Sequence, residues 1–154
     1  MEIKLGNQLI KVVFKIYCTT EYGECLYLLG NIEELSHWNK AKAIKLHTKD
    51  YTHVSPLWES DTLLLPINAC IEYKFFKKTR EDNLVWEELP NGLNHSLKID
   101  FEDPAEITHF FGTTNMQIEL KELFNEDPSP RSRKFTLVMF LCKNRKILLI
   151  CYPI

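Results

Sequence analysis

Three tryptophans, Trp38, Trp58 and Trp86, stand in polar surroundings rather than in apolar runs. Trp38 lies in Leu35-Ser36-His37-Trp38-Asn39-Lys40, Trp58 in Ser55-Pro56-Leu57-Trp58-Glu59, and Trp86 in Val85-Trp86-Glu87-Glu88. An indole among charged residues is costly to leave wet unless something flat lies on it. The apolar face of a sugar ring is one such partner, because its C–H groups carry partial positive charge and sit well on the negative face of the indole. Stacking leaves rotation about the ring normal free, so a site of this kind also needs polar side chains to set the register.

The other chemistry-bearing residues point away from catalysis. His37, His47, His53, His95 and His109 have no metal-ligand or catalytic spacing. Glu87 and Glu88 are adjacent, and adjacent strand residues face opposite sides of a sheet, so they do not form a hydrolytic carboxylate pair. There is no nucleophile–base pair, phosphate loop or metal cluster, so no catalytic residue, metal or cofactor is expected.

Composition sets further bounds. At 154 residues the chain is one domain with room for an appendage, long enough to bury a core without staples. A net charge of −2 disfavours binding driven by phosphate neutralisation, so no nucleic-acid partner is expected. The N-terminus has no signal-peptide pattern, and no stretch is apolar enough for a membrane span. Five cysteines, Cys18, Cys25, Cys70, Cys142 and Cys151, show no metal spacing and read as reduced, so a cytoplasmic location is expected.

The elements that must position the tryptophans are strands. Val12, Phe14, Ile16 and Cys18 share one face of a period-two segment over residues 9–18. Further strands are expected over 25–29, 43–46, 58–65, 71–77, 84–87, 94–99 and 107–111, with turns at Thr19–Glu24, Lys77–Asp82 and Pro90–Gly92. Trp38 falls in an irregular stretch over 31–42, and Tyr51 in a polar loop over 47–57. Many short strands with polar turns predict an all-β, antiparallel sandwich. The remainder differs. Met116, Leu120, Leu123 and Phe124 follow a helical spacing, with Thr113, Thr114 or Asn115 as cap. Asp127–Arg133 reads as a linker, and the apolar runs 135–142 and 147–154 across Lys143–Lys146 read as a hairpin. The expected organisation is a sandwich over 9–112 and an extension over 113–154.

Over residues 13–99 the order of landmarks resembles a starch-binding domain of carbohydrate-binding module family 20. The matching stretches are Val13-Phe14-Lys15-Ile16, Thr19–Glu24, Tyr27-Leu28-Leu29-Gly30-Asn31-Ile32, Leu35-Ser36-His37-Trp38-Asn39 and Ala43-Ile44-Lys45-Leu46. They continue with Tyr51-Thr52, Pro56-Leu57-Trp58, Leu65-Pro66, Ile71–Phe76, Val85-Trp86-Glu87 and Pro90-Asn91. The resemblance implies an immunoglobulin-like β-sandwich that binds α-1,4-glucans without cleaving them. It implies a first site with a Trp38–Trp86 platform, Lys74 and Asn91 as hydrogen-bonding groups and Glu87 alongside. A second site is implied at Tyr22, Tyr51 and Trp58. Implied partners are starch, glycogen or a related α-glucan, and a carbohydrate-active enzyme in the same or another chain. Three positions depart from the pattern: Ser36 stands where the family has Gly, Lys49 where it has an acid, and Gly92 where Arg commonly follows the Asn.

Each assignment has a structural alternative. Trp86 could pack the sandwich core, Trp38 could plug its end, and Trp58 opens an alternating strand after the apolar Leu57. Lys74 faces away from Tyr73 and Phe75, as a solvated residue or a ligand donor. The competing function is an immunoglobulin-like protein-interaction domain without sugar binding. Burial of the tryptophans separates the two.

Overall fold

The computed structural model describes residues 8–121 and the strand Leu137–Val138. Two sheets face one another, as the alternation predicts. The first contains β1 (Leu9–Tyr17), β4 (Leu57–Glu59), β5 (Leu63–Pro66), β9 (Ala105–Phe110), β10 (Met116–Leu120) and β11 (Leu137–Val138). The second contains β2 (Cys25–Gly30), β3 (Ile44–Lys45), β6 (Cys70–Lys78), β7 (Leu84–Trp86) and β8 (His95–Lys98). Pairing is antiparallel except where β1 runs parallel to β9, with Phe14 opposite Ile107.

The inward residues of the two central strands make the core. Val12, Phe14 and Ile16 from β1, and Ile71, Tyr73 and Phe75 from β6, are fully buried. Phe14 meets Tyr73 edge to face across the sheets, with ring centroids 5.0 Å apart. Burying side chains of this size contributes roughly 1.5–3 kcal/mol each, which makes the two rows the main source of cohesion.

Two expectations are corrected here. The single strand over 58–65 is two strands, both paired with β1. Lys15 lies opposite Glu59 but Val12 lies opposite Leu63, so one extra residue is inserted between the pairs. Ser60 absorbs this bulge: it is buried, its hydroxyl accepts from Phe14 N–H at 3.0 Å, and it donates to the Asp61 carbonyl at 2.7 Å. The helix expected from Met116 is instead strand β10, paired with β9 from Met116–His109 to Leu120–Ala105. Met116 and Ile118 are buried, so period two wins over the i, i+4 spacing of Met116 and Leu120. The sheet therefore continues past residue 112, where the sandwich was expected to end. Leu137–Val138 pairs with β10; the linker 127–133 and most of the expected apolar hairpin lie outside the described residues.

Candidate functional site

Trp86 ends β7 at the edge of the second sheet. Register places Tyr27 of β2 opposite Phe76 of β6, and Phe76 opposite Trp86, so the three rings share the outer face. Phe76 and Trp86 have centroids 4.9 Å apart, and Phe76 is buried beneath its neighbours while Trp86 is half-buried. Lys74 lies two residues before Phe76 on β6 and so faces the same way, half-buried. Its companions Tyr73 and Phe75 face the core, as the alternation predicts.

Trp38 comes from the loop after β2. Gly30 lets this loop cross close to β6: a Cβ there would meet the Glu72 carbonyl at 2.5 Å and Leu35 Cδ1 at 2.8 Å. The Asn31 side chain accepts from Glu72 N–H at 2.9 Å, and the Glu72 carbonyl accepts from Asn31 N–H at 2.9 Å. Leu35 is fully buried and anchors the loop. Beyond that anchor, Ser36, His37 and Trp38 all take left-handed φ values of 68°, 46° and 59°. Such values cost L-residues about 1–2 kcal/mol each, so three in a row are retained against a clear penalty. Their result is that Trp38 turns outward and is 38% exposed instead of plugging the sandwich. The loop folds back over the sheet, where Lys40 Nζ lies 5.5 Å from the centroid of the Trp86 ring. Sequence reading missed Lys40; its only signal is that it follows Trp38 by two residues.

Asn91 is exposed at the tip of the turn Pro90–Gly92, with φ 58°. Gly92 follows at φ 65°, a second left-handed step that suits glycine and disfavours the Arg of the family pattern.

Glu87 is a correction. It is 1% exposed, and its carboxylate accepts from Phe75 N–H at 2.9 Å and from Gly112 N–H at 3.4 Å. His95 Nε2 stands 2.8 Å from Oε1, within ion-pair distance. The cause is strand alternation: with Trp86 outward, Glu87 turns inward. It cannot meet a ligand on the outer face. Around it lies a buried polar cluster that sequence reading also missed. His95 and His109 have ring centroids 4.3 Å apart, and His109 Nε2 shares a 2.8 Å hydrogen bond with the Tyr73 hydroxyl. Burial, and secondarily His95, hold His109 well below its ordinary pKa, against a weaker upward pull from the Asn115 backbone.

Of the second group, Tyr22 is 91% exposed and Tyr51 is half-buried. The Tyr51 hydroxyl accepts from Thr20 N–H at 3.0 Å and donates to the Thr20 carbonyl at 3.2 Å, tying its loop to the one carrying Tyr22. Trp58 is a correction. Opposite Ile16 on β4 it points inward, is 8% exposed and belongs to the core, so it offers no free face for stacking. It supports Tyr51 from below, with centroids 6.2 Å apart at 71°. Lys49, the departure from the family's acid, is held by Glu59 at 2.6 Å.

Exposed aromatic rings with polar donors, carried on a two-sheet scaffold, define a class: non-catalytic modules that hold a sugar chain. The chain belongs to the starch binding domain family, carbohydrate-binding module family 20, whose profile matches residues 9–104. It is 40% identical over 83 residues to an AA13 family lytic polysaccharide monooxygenase A of Aspergillus terreus. It is 36% identical over 86 residues to Glucoamylase-1 of Schizophyllum commune. These matches cover 54% and 56% of this chain but 20% and 14% of the relatives, so their catalytic parts lie outside the match. Among solved structures, the family 20 module of a maltotetraose-forming amylase from Pseudomonas saccharophila STB07 matches over its whole length and 66% of this chain. The TM-score is 0.50 at 24% identity, a likeness of fold.

Proposed function

We propose that the chain holds an α-1,4-glucan, starch or glycogen, through a main site of Trp38, Trp86, Lys74 and Asn91 and a secondary site of Tyr22 and Tyr51. The observation that carries this reading is the strained run Ser36–Trp38, which holds a tryptophan out of the core. Glucose units stack on the two rings; Lys74 donates to a hydroxyl, and Asn91 both donates and accepts. Binding at so open a surface is modest, roughly micromolar to millimolar per site, and two sites on one polymer raise the avidity. The role is to bring an associated carbohydrate-active enzyme or adaptor to the polysaccharide, as the placement of such modules within the relatives supports. A cytoplasmic setting, with glycogen as polymer, fits Cys18, Cys25 and Cys70, which are free thiols. Burial pushes the Cys18 thiol up to about 11, which keeps it unreactive.

The test is co-sedimentation with insoluble starch, using β-cyclodextrin as soluble competitor. Wild type should pellet and be released by the competitor. Trp38→Ala with Trp86→Ala should stay in the supernatant while keeping its β-rich spectrum. Unchanged pelleting of that double variant would sink the main-site assignment.

A further inference from the structure

Beside Trp86 the outer face of the second sheet sinks into a cleft of about 310 Å³. Neither site described above uses it. Tyr27 and Phe76 line it, stacked with centroids 5.2 Å apart at 10°, and Phe76 continues to Trp86 at 4.9 Å. The aromatic row is thus continuous from the platform into the cleft.

Two lysines line the same space, each with an ammonium group at its margin. Lys40 lies on the cleft wall and also over the Trp86 ring, so one side chain spans both features. Lys78, two residues beyond Phe76 on β6, lines the other part and holds the exposed Asp82 at 2.8 Å. Lys45 of β3 lies opposite Tyr27 and adds a third cation to this face. The chain carries a net charge of −2, so this grouping is a local field and not general basicity.

A neutral glucan gains little from such a concentration of cations, because hydroxyls are served by single donors. A phosphate monoester is different: it is close to a dianion at neutral pH and offers three strong acceptor oxygens to lysines. The Lys78–Asp82 pair is exposed and weakly held, so Lys78 can exchange its partner. The volume suits one substituted sugar unit and not a chain. We propose that this cleft is a further subsite, which takes a phosphate monoester on a glucosyl unit neighbouring the one stacked on Trp86. The proposal rests on the glucan-binding reading above.

Titration calorimetry with maltoheptaose, with maltoheptaose bearing one phosphate monoester, and with inorganic phosphate tests it. The phosphorylated oligosaccharide should bind wild type roughly tenfold more tightly than the neutral one, an advantage that shrinks with added salt. In Lys40→Met with Lys78→Met the ratio of the two affinities should fall to about one, and Lys40→Arg with Lys78→Arg should restore it in part. Equal affinity for the two oligosaccharides in wild type, or a preference kept by the double Met variant, would overturn the subsite and leave glucan binding standing. Inorganic phosphate bound without a preference between the oligosaccharides would overturn it too, as a bare anion site. Failure of wild type to bind either oligosaccharide would remove both readings together.

Discussion

Ser36 occupies a left-handed position, and its hydroxyl is buried without a hydrogen-bond partner. Both features cost free energy, and neither touches the face that Trp38 presents. Ser36→Gly relieves the backbone and removes the orphan oxygen, so it should stabilise the fold by about 1 kcal/mol, seen as a higher urea midpoint with unchanged glucan affinity. An unchanged or lower midpoint would mean the serine has a stabilising role. Glu87 makes the opposite case. Placed next to a platform tryptophan, it looks like a sugar contact from its neighbours alone, yet it serves the interior. Glu87→Ala should destabilise by about 3 kcal/mol or more by leaving the Phe75 N–H without its acceptor and His95 without its partner, and the fraction that stays folded should bind glucan with near-normal affinity.

At the scale of elements, the proposed secondary site is a pair of loops clasped by one side chain. Tyr51→Phe removes both hydrogen bonds to Thr20 while keeping the ring against Trp58. It should cost about 1 kcal/mol of stability and lower polymer avidity only in part, because the Trp38–Trp86 site is untouched. Starch pelleting and thermal melting on the same preparation check this; complete loss of pelleting would reverse the ranking of the two sites. Strand β10 shows what governs element identity. The spacing of Met116 and Leu120 suits a helix, but an unpaired β9 edge lies within reach and Met116 and Ile118 fill the core beside it. Local pattern was ambiguous there, and sheet pairing decided it.

Across the whole molecule, the buried cluster of Tyr73, His95, His109 and Glu87 ties β6, β8 and β9 to the segment that follows Trp86. His109 is neutral in the fold because its pKa is held far below the ordinary 6.5. The unfolded chain therefore takes up a proton first. Stability is fully present above pH 6.5 and is lost progressively as pH falls below it toward the folded value. Urea midpoints should drop between about pH 7 and pH 5, and His109→Gln, though weaker at neutral pH, should lose less over that window. Equal slopes for both proteins would place the acid sensitivity elsewhere.

Much was legible without coordinates. Period-two alternation with polar turns determined the sandwich and most of its core rows, because strand burial is a local rule read two residues at a time. The order of landmarks marked Trp38, Trp86, Lys74 and Asn91, of which Trp38 and Asn91 are exposed and Lys74 and Trp86 half-buried. What the tertiary structure alone decided was facing and company. Trp58 and Trp86 both stand beside Glu in short strands, yet register turns Trp58 toward Ile16 and Trp86 outward over Phe76. Glu87, His95, His109 and Tyr73 are separated along the chain and become one cluster only when two sheets close on them. Lys40 gains its place over Trp86 because three strained residues fold its loop back across the sheet. Pattern fixes which residues alternate, but which face meets the core depends on pairing between distant strands, and that is a property of the closed fold.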